Sequence, residues 1–590
     1  MTTAVVAGRR VSAPRRSWAG LAIPAVVFTL AVYALPMSVL VIQSFTGGDH
    51  PLESYTRILS NPAYLATIGR TLGISAISAA LALVIGYPVA YVIATAGPRL
   101  RAVLIVGVVA PYVTSILIRT FAWQVLLGRL GPVNALLEKV GLGPQDLLFT
   151  RLAVIIGLTH YVLPLTILPL VNVMRQIDRS QLAAAASLGA GPALAWVRVY
   201  LPQTRPGIEV ALVLSFVYGV GAFVIPAILG GDAGSMLGVL IQSAIDQRAD
   251  FGLAAAASAL LAAAVLAVLV LYRAATGGSL ESVAAPTAIG PSAARTRRRR
   301  TLGLLTRAGT AVARLLDRTG LSRRRGVLTA YSVLVCVLLA LPQLVAVPVS
   351  FSSTRAMVLP PPGFSLQWYR NLFTPEWLEP LVTSFLIAVP VAVLSTALGT
   401  LAAIGVARGM GRRGQAGATV VLMLPLLFPT VVAAAAFYLS FLPLYLTDTV
   451  LGLVLAHTTI ALPFAFALVT ANIRALDPVY ERAAASLGAD RRRQLTRVLL
   501  PLLKGSVLTA LFLTFLTSFD EGPIAIFLSG VDVDTLPRQM FAALTLQTDP
   551  TIAVVAVVSM AVSGLVMGLN ALVGRSTRRT TTTGDRRAEQ

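Results

Sequence analysis

Three runs of this 590-residue chain, Trp18 to Phe45, Leu253 to Tyr272 and Ile552 to Val573, carry no ionised side chain over about 20 residues or more. That length of α-helix crosses roughly 30 Å of hydrocarbon. A bilayer offers backbone groups no water, so spanning segments must be helices or a closed barrel. A barrel would show segments of roughly ten residues alternating apolar and polar, and none occurs. The chain reads as an all-α membrane protein, in keeping with 56% hydrophobic and 12% charged residues and a mean hydropathy of +0.81.

Twelve apolar windows are separated by loops: roughly 18–45, 66–95, 102–127, 151–174, 207–229 and 251–272, then 327–350, 381–407, 416–445, 449–473, 506–528 and 551–573. The net charge of +23 would suggest nucleic acid in a soluble protein, but the arginines cluster in alternate loops. That bias is the positive-inside rule, so the spacing predicts cytoplasmic N- and C-termini and no nucleic-acid partner. Arg9, Arg10, Arg15 and Arg16 precede the first run as in a signal peptide, yet the run is too long for one and reads as an uncleaved first span. Cys336 has no partner in the chain and reads as a small buried hydrophobe.

The two sets of six windows are copies. AAASLGA occurs at Ala184 to Ala190 and again at Ala483 to Ala489, an offset of 299. Asp178 pairs with Asp477, Arg198 with Arg497, Leu201-Pro202 with Leu500-Pro501 and Asp250 with Asp549 at that same offset. SYTRIL from Ser54 echoes WYRNLF from Trp368 at a different one. Six spans per copy keep both copies in one orientation, which predicts a pseudo-twofold axis along the membrane normal and a path between the halves. The expected division is a first repeat at 1–272, a cytoplasmic Arg-rich linker at 273–326, a second repeat at 327–574 and a disordered cytoplasmic tail at 575–590. Leu304 to Leu316 in the linker has the spacing of a basic amphipathic helix for the anionic leaflet, or of a partly helical tether.

Several chemistries are missing. Neither lysine, Lys139 or Lys504, follows a glycine, so no phosphate-cradling GxxxxGK[ST] loop exists. His50, His160 and His457 lie far apart without HExxH or cysteine support, so no metal site, cofactor or catalytic residue is expected. Both histidines in apolar runs read as polar packing residues.

Each repeated loop leaves an apolar run, passes LG and then nine residues beginning with alanine, and enters the next run through V-x-L-P. Small residues allow close approach of another protein, and the glycine allows a sharp turn between helices. The alternative reading, Ala-rich helices packing on one another, fits less well for two cytoplasmic loops with one shared spacing. This pattern resembles the EAA loop of inner-membrane permeases of binding-protein-dependent ABC importers, over nearly both halves. The resemblance implies a fused pair of parallel six-helix, type I (MetI-like) permease repeats without a nucleotide site of their own. It further implies two copies of a cytoplasmic P-loop ATPase and a periplasmic or lipid-anchored binding protein as partners. By position, the coupling residues are Ala184, Ala185, Leu188 and Gly189, with Ala483, Ala484, Leu487 and Gly488. The family's glutamate falls on Ala183 and Arg482, with Glu481 one residue earlier. SILIRTFAWQVLLG from Ser115 and SFDEGPIAIFLSG from Ser518 are similar to the two subunits of spermidine/putrescine-type permeases, which makes a polyamine the first candidate cargo.

Asp520 and Glu521 lie within or at the edge of the eleventh window, where an acid costs roughly 2.5 to 3.5 kcal/mol on insertion scales. At the 299 offset they face Gly221 and Ala222. Two readings follow: they line the path of a cationic substrate together with Arg119 and Trp123, or stabilise a gate; or they satisfy a structural hydrogen bond or an ion pair, as with Arg119. A twelve-span secondary transporter is the alternative function, since RGMGRRG from Arg408 resembles its basic loop, but that class has no use for twin V-x-L-P loops.

Overall fold

The computed structural model describes residues 16–276, 325–546 and 549–588. In the first half the principal helices are α1 (Gly20–Thr46), α2 (Pro62–Thr95), α3 (Pro98–Val113), α4 (Ile116–Leu127) and α5 (Arg151–Met174). They continue with α6 (Ser180–Ser187), α7 (Leu201–Val220), α8 (Val224–Leu229), α9 (Leu237–Asp246) and α10 (Phe251–Thr276). The second half repeats the series: α11 (Arg325–Ser350), α12 (Pro375–Gly409), α13 (Arg412–Leu427), α14 (Thr430–Phe441), α15 (Val450–Ala475), α16 (Val479–Ser486), α17 (Leu500–Phe519), α18 (Pro523–Leu528), α19 (Leu536–Leu546) and α20 (Thr551–Ala588).

Among the described residues nine helices are long and apolar enough to span a membrane, or eleven when two bent pairs each count as one span. The bent pairs are the windows 102–127 and 416–445, where α3 and α4 turn by 92° and α13 and α14 by 95°. Proline chemistry fixes the second bend. Phe428 precedes Pro429 and is extended, with ψ 148°, because the proline ring excludes the α conformation from the residue before it. At the first bend Ser115 starts α4 afresh by accepting from Leu117 N–H at 3.3 Å. The window 207–229 is α7 followed by α8, and 506–528 is α17 followed by α18, each broken for three residues. Residues 277–324, including the amphipathic run of the linker, lie outside the described residues. The tail departs from the expectation of disorder, because α20 runs on to Ala588. Extending an existing helix is far easier than nucleating one.

The repeat is visible bond by bond. Thr150 caps α5 by accepting from Ala153 N–H at 3.2 Å, and Thr449 caps α15 by accepting from Gly452 N–H at 3.0 Å. The Thr71 hydroxyl on α2 accepts from Leu237 N–H at the start of α9 at 2.9 Å. Its counterpart Ser384 on α12 accepts from Leu536 N–H at the start of α19, also at 2.9 Å. Buried helix starts leave N–H groups that need such partners.

Each half is centred on three helices, α2 with α5 and α7, and α12 with α15 and α17. The outermost helix of each half crosses to the other. α1 packs on α12 and α14, and α11 packs on α3 and α4. Small residues permit both crossings, as helix association in lipid requires. A Cβ on Gly405 would lie 2.7 Å from Ala22 N, and one on Gly107 would lie 2.9 Å from Cys336 Cβ. Polar bonds across the halves reinforce the exchange: Tyr331 O–H donates to Ile85 O at 3.0 Å, and His160 Nε2 lies 3.2 Å from Leu339 O.

Candidate functional site

The breaks in α7 and α17 put irregular backbone inside two apolar windows, which is tolerated where it lines a cavity or is buried in protein. A cavity of about 310 Å³ lies there, between the halves. Tyr112, Arg119, Tyr161 and Tyr218 line it from the first half, and Asp520 and Glu521 from the second. The halves approach closely at Gly221, where a Cβ would sit 2.4 Å from Pro429 Cβ. Toward the end of the bundle remote from α6 and α16, aromatic rings from both halves close the space. Phe223 is 5.7 Å from Phe527 and 5.5 Å from Phe541 between ring centroids.

Arg119 is 6% exposed on α4, with its guanidinium 5.0 Å from the centroid of the Tyr161 ring. Stacking on a ring face is a recognised way to hold a buried cation. Asp520 and Glu521 occupy different roles. The Glu521 Oε2 atom accepts from Ile524 N–H at 2.8 Å and Ala525 N–H at 3.1 Å, so this carboxylate caps α18. His457 joins the cap, with Nδ1 3.0 Å from Ser518 Oγ and Nε2 3.8 Å from Glu521 Oε2. Asp520 is half-buried on the cavity wall. Among the described residues neither acid forms an ion pair with Arg119. The helix cap accounts for the cost of burying Glu521; Asp520 is the acid that faces the open space. Trp123 stands behind this wall, packed edge-on against His160 at 5.6 Å in a narrow cleft it shares with Arg119. The tyrosines and the Phe223 contact were not picked out from the sequence, because a tyrosine or phenylalanine inside an apolar run looks like any other span residue.

The second region is the pair α6 and α16. Asp178 accepts from Ser180 N–H at 2.9 Å and Asp477 from Val479 N–H at 2.9 Å, starting the helices at one register. The Ser180 hydroxyl and N–H hold the Asp178 carboxyl below the usual carboxylate range. Both helices end in the same cap. Ala190 N–H donates to Ala185 O at 3.0 Å and Ala489 N–H to Ala484 O at 2.9 Å, with Gly189 at φ +81° and Gly488 at φ +80°. A positive φ of this kind is why glycine stands there. Ala183 and Ala186 and their counterparts are exposed, and Leu188 and Leu487 protrude at 89% and 88% exposure. Glu481 turns away from this surface: its Oε1 takes a bond from Arg408 Nε at 2.9 Å. After each helix comes a π-helical turn at one register, Trp196–Tyr200 and Leu495–Leu499, before α7 and α17 begin.

A model of the family described as binding-protein-dependent transport system inner membrane component matches residues 82–276 and, a second time, 395–579. The chain belongs to this family. It is a multi-pass inner-membrane transport permease with two family repeats in one polypeptide, a class that works with an ATPase and a substrate-binding protein. Single-repeat relatives each match one half of the permease. The spermidine/putrescine transport system permease protein PotB of Haemophilus influenzae is 36% identical over 38% of this chain and 79% of its own length. PotB of Escherichia coli K12 is 31% identical over 39% and 84%. PotC of Haemophilus influenzae, also a spermidine/putrescine transport system permease protein, is 28% identical over 42% and 95%. Among solved structures, a chain from the crystal structure of a bacterial alginate ABC transporter in complex with an alginate pentasaccharide-bound periplasmic protein is similar over 44% of this chain and 93% of that one. The identity there is 19% and the TM-score 0.38.

Proposed function

We propose that this permease imports a small organic cation of the polyamine class through the space between its repeats. Two matching ATPase subunits would drive it by gripping α6 and α16. The observation that carries the reading is the pair of protruding leucines, Leu188 and Leu487, on two helices with one capping scheme and one register. An exposed apolar side chain on a rigid turn is a ready anchor for a partner's pocket, and two copies related by the repeat suit two copies of one partner. Ala184, Ala185 and Gly189, with Ala483, Ala484 and Gly488, form the small-residue floor around those anchors. Glu481 holds the second helix in place through Arg408. The coupling end faces the cytoplasm, with the termini and the linker 273–326 between repeats 1–272 and 327–574. The binding protein docks at the opposite end.

The cargo follows from the relatives' names and from Asp520, the acid on the cavity wall beside three tyrosines. A carboxylate and aromatic faces suit an ammonium group, and Arg119 on the facing wall keeps a cation from binding too firmly to leave. The chain contributes no nucleotide site and catalyses no covalent step. The test is reconstitution with the ATPase and binding protein found beside it in cells, followed by uptake of labelled spermidine and putrescine. ATP-dependent uptake abolished by a bulky residue at Gly189 and Gly488 is the expected result. Uptake driven by an ion gradient with no ATPase bound would overturn it.

A further inference from the structure

The turn between α14 and α15 carries a carboxylate whose bonds all run to another part of the chain. Asp448 Oδ1 accepts from Gly530 N–H at 2.7 Å and Val533 N–H at 2.9 Å. Its Oδ2 accepts from Val531 N–H at 2.9 Å and Asp532 N–H at 3.0 Å. The Asp448 N–H in turn donates to Leu528 O at 2.7 Å. Successive backbone N–H groups curled around an anion are a strong binding arrangement, and bonds to a charged acceptor exceed neutral ones. Two features show how closely the site is built. Asp448 adopts φ +56°, a left-handed conformation that asparagine and aspartate tolerate better than other side chains. A Cβ on Gly530 would lie 2.3 Å from Asp448 Oδ2, so the loop reaches the carboxylate only because that residue is glycine.

The loop so held, residues 529–535, leads out of α18. Glu521 caps the near end of α18, and Phe527 on it meets Phe223 of the other half, closing the cavity away from the coupling helices. The far end of the loop is pinned where Ser384 takes the Leu536 N–H. The first half solves the same problem without a carboxylate. Phe149 occupies the equivalent place at φ +59° and packs against Gly231, while Arg70 and Arg151 donate to the carbonyls of Asp232 and Ala233 at 3.3 and 3.1 Å.

We propose that Asp448 is a positioning residue for the outer gate: its carboxylate latches the 529–535 loop and so holds α18 and Phe527 across the outer end of the cavity. The carboxylate latch is specific to the second repeat, so the two leaves of the gate are held by different chemistry. The inference rests on the import reading for which end is outside, and on geometry for everything else.

The test is labelling by a membrane-impermeant maleimide applied to the outer face of intact cells expressing the full transporter. The chain carries Cys336→Ser and Thr517→Cys, the latter on the cavity wall. Weakening a charge-assisted latch shifts the closed–open balance by about tenfold, so Asp448→Asn and Gly530→Ala should each raise outer labelling by about that factor. Because both act on one latch, the double variant should label no more than the stronger single one. Labelling of inverted vesicles from the coupling side, and the amount of folded permease, should stay at the parent level. Outer labelling unchanged in both single variants, or fully multiplicative in the double, would overturn the proposal. A separate Leu188→Cys chain reports orientation: labelling of that residue from outside would overturn the import reading instead.

Discussion

Arg408 Nε donates to Glu481 Oε1 at 2.9 Å, with the two side chains only 15% and 12% exposed. Arg408 also donates to Leu476 O at 2.7 Å. One arginine at the end of α12 thus fixes both the close of α15 and the position of α16. In α6 Leu182 stands where α16 has Glu481, so the two helices are anchored by different chemistry. Removing one charge strands the other in a poorly hydrated joint. Arg408→Gln and Glu481→Gln should each lower stability by about 1 to 3 kcal/mol, and the double variant by less than the two together. Thermal unfolding of the detergent-purified permease measures all three, and strict additivity would show that the pair is not a unit.

The protruding leucines make the opposite prediction. Among the described residues nothing covers Leu188 or Leu487, so truncating them should leave thermal unfolding within about 0.5 kcal/mol of the parent. If each fills a pocket on an ATPase, Leu188→Ala and Leu487→Ala should each weaken binding by about 1 to 3 kcal/mol. Titration of the purified permease with its ATPase separates the two effects. Equal affinity before and after truncation would remove these residues from the interface.

Asp520 and Glu521 separate in the same way. Glu521 satisfies two N–H groups at the start of α18, so Glu521→Ala should cost about 1 to 2 kcal/mol, seen in unfolding as well as uptake. Asp520 faces the cavity, so Asp520→Asn should spare the unfolding midpoint and depress uptake of a dication. A matched loss of stability in both variants would assign both acids to structure.

These contrasts show what a sequence of this kind can disclose. Span positions and the duplication are one-dimensional signals, carried by runs of uncharged residues and by residues recurring 299 positions apart, and they survive in the structure. The two short helices α6 and α16 were legible for the same reason, down to the turn glycines Gly189 and Gly488. The exchange of α1 and α11 between halves was not, because a span apolar all round has no polar face to say what it packs against. Nor was the split between Asp520 and Glu521. Adjacent acids look alike until the helix break at Gly522 assigns one to a cap. Asp448 lay hidden most completely, since its partners are backbone N–H groups more than 80 residues away, and any sequence supplies those.

The latch at Asp448 also makes a prediction about acid. Burial works against its charge, yet the N–H groups of Asp532, Val533, Gly530 and Val531 outweigh burial and hold the carboxyl below its ordinary value of 3.8. A carboxyl with a depressed folded value contributes stability that is complete above the unfolded value and is lost as pH falls through the folded one. The latch is therefore intact from pH 8 to pH 5 and weakens only in stronger acid. Its charged neighbours are Asp532, Asp534 and Arg538. Asp534 runs the other way: burial raises it, the Arg538 charge offsetting part of the rise, so its penalty is relieved on acidification. Comparing the wild type with Asp448→Asn cancels that background. The gap between their unfolding temperatures should be constant from pH 8 to pH 5 and narrow below about pH 4. A gap that narrows between pH 7 and pH 5 would mean that some group other than this carboxylate holds the loop.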